Sequence, residues 1–89
     1  MDKIQITQPS KDEVEKAGIF SWPIWTCDIS EFPWTYSDKE TCYILEGEIE
    51  VTTDNETIHI KPGDLVVFPS GLSCRWNVTA PVRKHYQFG

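Results

Sequence analysis

The sequence predicts an all-β domain, a small barrel or sandwich with one short helix near its N-terminus. Three observations carry that expectation. Beyond residue 18, runs of β-formers alternate with turn residues at regular, short spacing. Four Trp, four Phe and three Tyr in 89 residues supply large rings, which fill a small barrel efficiently. One Ser-x-x-Glu signal, Ser10 with Glu13, marks a single helix start.

Taken in order, the first nine residues read as a short strand ended by Pro9. Residues 10–17 read as the only helix: Asp12 and Glu13 favour its N-terminus, and Gly18 is its stop. Thr41 to Val51 is a run of β-formers broken at Glu46-Gly47. Asp54-Asn55 makes a hairpin turn into Thr57–Ile60. Pro62-Gly63-Asp64 turns the chain again into Leu65–Phe68, a buried strand that stops at Pro69. Gly71 allows a further turn, and Cys74–Val78 with Val82–Phe88 complete the series. The chain reads as one domain, residues 1–89, with no repeat or linker.

Charge narrows the partners. A net charge of −6 and a pI near 4.7 would repel a phosphate backbone, and Arg83-Lys84-His85 is too short to reverse that. Nucleic acid is therefore not an expected partner, nor is a membrane. No stretch approaches the roughly 20 apolar residues of a spanning helix, and Met1–Gln5 has no signal-peptide pattern. Cys27, Cys42 and Cys74 are odd in number and lack zinc-site spacing. They read as reduced thiols of an intracellular, cytoplasmic protein.

The turn residues also fall in a pattern. Glu40 is followed by six residues and Gly47; further on, Gly63, five residues, Pro69, one residue and Gly71 follow one another. These segments resemble the paired motifs of the cupin superfamily, across roughly residues 34–78. The resemblance implies a jelly-roll-like β-barrel of the small cupin type. Trp22-Pro23-Ile24-Trp25, Phe68-Pro69-Ser70-Gly71 and Arg83-Lys84-His85-Tyr86 are similar to the small cupins grouped with ureidoglycine aminohydrolase.

The departures from that pattern bear on function. The positions of the first motif's two His hold Trp34 and Tyr36; that of the second motif's His holds Cys74, and its Asn is Val78. Of the four usual metal ligands Glu40 alone remains, so the expectation is a site without metal or other cofactor. Glu40, Cys42 and Cys74 share an inward face by alternation and would make a soft zinc site. Against this, both thiols read better as small buried hydrophobes, the commonest place of a free Cys. His59 alternates with Ile58 and Ile60 and reads as solvated. His85 reads as a structural or surface residue.

Without a metal, Trp34, Tyr36, Glu40, Cys74 and Trp76 would converge on one cavity, with Cys42 and Lys84 beside them. An aromatic-walled pocket with a carboxylate and a thiol suits a small molecule. Glu40, desolvated against Trp rings, would have a raised pKa suited to acid–base work. Tyr36 would donate to a developing oxyanion. Cys74 would be a nucleophile if Lys84 stabilised its thiolate, since Arg75 should face outward. The plainer reading is that Glu40 bonds to Tyr36 and the Trp rings fill the barrel.

These residues admit three functions. One is a metal-independent enzyme or binder for a small, apolar or aromatic ligand. Another is a Glu40/Cys74 metalloenzyme related to ureidoglycine aminohydrolase. The last is a non-catalytic module acting through its surface as a homodimer, with Phe20–Trp25 covering a sheet edge or a partner.

Overall fold

The structure is a computed structural model that describes residues 3–89. Strand β1 is Gln5–Thr7, so the expected first strand is shorter, and its Met1 and Asp2 lie outside the described residues. Helix α1 spans Lys11–Lys16 with the full capping box: Ser10 and Glu13 each accept from the other's backbone N–H. Gly18 ends it in a left-handed conformation, φ 74°. A short 3₁₀ turn, Ile19–Ser21, follows, so α1 is not the sole helical segment.

The wall is β2 (Ile24–Cys27), β3 (Ser30–Thr35), β4 (Glu40–Thr52), β5 (Thr57–Ile60), β6 (Leu65–Phe68) and β7 (Ser73–Phe88). All pairings are antiparallel. The long strands β4 and β7 pair along most of their length and form the spine. The first part of β4 lies between β6 and the end of β7; its last part lies between β5 and the start of β7. Likewise β7 is flanked by β3 near its start and by β2 near its end.

Two expected breaks are continuous strand. Glu46-Gly47 does not interrupt β4; it is a bulged stretch with register shifts between Ile44 and Ile49. The shift changes which side chains face inward: Glu40, Cys42 and Ile44 are buried before it, Ile49 and Val51 after it. Gly47 is required there. Its φ is 101°, and an added Cβ would strike the Pro81 carbonyl and stand 2.7 Å from Val82 Cα. Pro81 in turn lies within β7 opposite the bulge, where the ladder is interrupted and a missing N–H is tolerated.

The core packs Ile44, Ile49, Val51, Ile60, Val66, Phe68, Val78 and Val82 between the walls. Tyr36 stacks on Phe68 with ring centres 4.7 Å apart and is 1% exposed. Asp64, also buried, fixes the turn before β6 by accepting from Lys61 N and Gln8 Nε2.

Candidate functional site

The site stands on the even positions of β7. Cys74, Trp76, Val78, Val82 and Lys84 are all buried, so inward alternation runs unbroken through Ala80-Pro81 and carries an ammonium into the barrel. On β4, Glu40 opens the inward series before the bulge. Lys84 Nζ donates to Glu40 Oε2 at 2.6 Å, and the side chains are 5% and 6% exposed. Glu40 is therefore not the isolated carboxylate expected among Trp rings, nor is it bonded to Tyr36. It is half of a buried ion pair.

Aromatic rings hold the ammonium in place. Lys84 Nζ lies 4.8 Å from the ring centres of both Trp25 and Trp76, which meet edge to face. Trp25 is brought there by register, since it is the β2 partner of Lys84. Phe32, the β3 partner of Trp76, stacks on it at 6.0 Å.

These groups enclose a cavity of about 270 Å³. Glu40 and Lys84 are its charged groups, and Trp25, Phe32, Trp34, Tyr36, Trp76, Tyr86 and Phe88 make the rest. Trp34 and Phe88 are about half exposed, so they stand where the cavity meets solvent. Of the residues named from sequence, Trp34, Tyr36, Glu40, Trp76 and Lys84 do meet at one cavity. Cys42 and Cys74 are not among its lining side chains. Trp25, Phe32, Tyr86 and Phe88 were not anticipated. Parity with Lys84 on β7 could have flagged Tyr86 and Phe88, whereas Trp25 and Phe32 depend on pairing registers invisible in the sequence.

The thiols are poorly disposed to ionise. Burial pushes Cys42 up to about 12; Lys84 opposes the rise and Glu40 adds to it. Burial also raises Cys74, against a lowering influence of the nearby Trp76 indole N–H and with a further rise from Glu40. That N–H, Trp76 Nε1, is buried and makes no well-aligned hydrogen bond. Tyr36 is pushed up by burial first and by Glu40 second, so its phenol stays a neutral donor. Lys84 thus pairs with Glu40 rather than stabilising a Cys74 thiolate.

A metal does not fit this arrangement. The one motif carboxylate is engaged by an ammonium rather than free to ligate. Among the described residues, no group of three or more His, Cys, Asp or Glu is placed to hold one. The histidines lie elsewhere: His85 Nδ1 bonds to the Trp22 carbonyl at 2.9 Å, and exposed His59 stands 4.0 Å from Glu48. Arg75 faces outward onto Glu31.

Residues 14–86 match the family described as the EutQ-like cupin domain. Over 70 residues the chain is 36% identical to an acetate kinase EutQ of Salmonella typhimurium and 33% identical to that of Escherichia coli. Each match covers 79% of this chain but 28% of the relative. The crystal structure of a DUF861 family protein from Thermotoga maritima superposes with a TM-score of 0.94 and 48% identity. That similarity covers 98% of this chain and 100% of the other. The Clostridium difficile EutQ protein shares the fold, at a TM-score of 0.67 and 22% identity over 73% of this chain and 52% of its own. The small cupin expected from the motifs is thereby established; the finer grouping with ureidoglycine aminohydrolase goes beyond these matches. No helix among the described residues is long and apolar enough to cross a membrane.

Proposed function

The chain belongs to the EutQ-like cupin family, and on that premise we propose that its barrel interior is a metal-independent site for a small, mostly apolar or aromatic molecule. One observation carries the reading: a buried ammonium–carboxylate pair forms the charged part of an otherwise aromatic cavity of about 270 Å³. A buried ion pair is weak evidence for stability, because well-packed apolar groups do as well. Its position beside a cavity gives it a chemical use. Glu40, held in place by its hydrogen bond from Lys84, is the acid–base group facing the ligand, while Tyr36 orients the ligand as a neutral donor. The kinase name belongs to relatives of which this chain spans 28%, and phosphoryl transfer is no part of the reading.

The test is a titration of the ¹⁵N-labelled protein with indole and toluene. Saturable shifts of the Trp25 and Trp76 side-chain resonances are expected. A cavity that leaves both resonances unmoved by either probe contradicts the proposal.

A second reading has its own observation. Phe20 and Ile24 are each 42% exposed where β2 ends the sheet order, which suits association of two chains along that edge. Light scattering at micromolar concentration decides it: a dimer supports this reading and a monomer removes it.

A further inference from the structure

We infer that the cavity selects a neutral, planar ligand whose edge presents a carbonyl beside an N–H, as in an aromatic carboxamide or a lactam ring. This rests on the proposed binding role and narrows it to a chemical class.

The polar groups set the pattern. The Lys84 ammonium has three donors, and Glu40 Oε2 accepts one of them. Among the described residues, no other group hydrogen-bonds to Lys84 Nζ or to Glu40 Oε1. Both residues line the cavity, so it offers a charged donor and a charged acceptor side by side. A ligand carboxylate would meet Lys84 favourably and be repelled by Glu40. A ligand cation would meet the reverse. Against side chains only 5% and 6% exposed, either like-charge approach weighs heavily. An amide edge satisfies both partners, its oxygen accepting from Lys84 and its N–H donating to Glu40, without adding charge.

The walls set the shape. Phe32 and Trp76 are nearly parallel, 20° apart, and Trp25 closes one side at 81° to Trp76. Flat rings favour offset stacking or edge contact with such surfaces. The volume of about 270 Å³ equals that of about nine waters, enough for one substituted ring.

The experiment compares four ligands of nearly equal size by calorimetry or NMR: toluene, benzamide, benzoate and benzamidine. Benzamide should bind about ten-fold or more tightly than the other three, as one or two hydrogen bonds to charged groups imply. Exchanging the pair should redirect the preference. Lys84→Met leaves Glu40 alone and should favour benzamidine, whereas Glu40→Gln should favour benzoate. If toluene binds as well as benzamide, the inference fails while the pocket reading stands. If none of the four binds, the pocket reading itself fails. Should either variant not fold, the wild-type series alone decides.

Discussion

Lys84 Nζ and Glu40 Oε2 meet at 2.6 Å across 44 positions of sequence, joining the spine strands β4 and β7 inside the barrel. Both side chains are almost wholly buried, 5% and 6% exposed, and two indole faces flank the ammonium. The pair therefore sets a cation supplied by the chain itself against the motif carboxylate inside the barrel.

Breaking the pair from one side should be far worse than removing it whole. Glu40→Gln leaves a buried ammonium unpaired, and Lys84→Met leaves a buried carboxylate. Each should cost about 3–5 kcal/mol in urea unfolding. The double variant should recover a large part of that loss, because it strands no charge. Single effects that simply add in the double variant would show that the two groups do not interact.

Stability should fall on the alkaline side. Tyr36, Cys42 and Cys74 are all raised in the folded state, so the fold retains protons that the unfolded chain releases. For Cys42 the contribution is complete below its ordinary value of 9.0 and is lost as pH rises toward about 12. Urea unfolding at about pH 7 and pH 10 should show a decline in the wild type that is shallower in Cys42→Ala and in Tyr36→Phe. Equal slopes in all three proteins would contradict the assignment.

Gly47→Ala should destabilise more than Gly63→Ala. Both positions have positive φ, 101° and 91°, so both replacements are strained by about 1 kcal/mol or more. At Gly63 nothing stands within 4 Å of the added carbon, whereas at Gly47 the Pro81 backbone blocks it. Relief would require the bulge to shift, and with it the inward phase that aims Glu40 at Lys84. Melting curves check the ranking, and equal losses at the two glycines would refute it.

Features set by local residues were legible in the sequence, and features set by strand pairing were not. Gly63, Pro69 and Gly71 announced β6 and its turns because those residues act locally, through φ and the absent N–H. Glu46-Gly47 and Ala80-Pro81 looked like ends of strands by the same local rule. They are instead opposite sides of one irregular stretch of ladder, and only the pairing of β4 with β7 reveals that. Alternation from the motif positions brought Trp34, Tyr36, Glu40 and Trp76 to the cavity, and with them Cys74, which does not line it; Lys84 was legible only as a cation of the last strand. The partner of Glu40 was not, because the side-chain reach of Lys84 follows from three-dimensional register. Trp25, legible only as part of an apolar edge, joins the cavity for the same reason, facing Lys84 through the β2–β7 ladder.

The most direct measurement is the metal content of protein expressed in rich medium and purified without chelator or nickel resin. An interior whose cation is Lys84 predicts far less than one transition-metal atom per chain, with no change in melting temperature on adding chelator. Zinc, iron or manganese near one atom per chain, lost in Cys74→Ala, would contradict it and return Glu40 and Cys74 to the role of ligands.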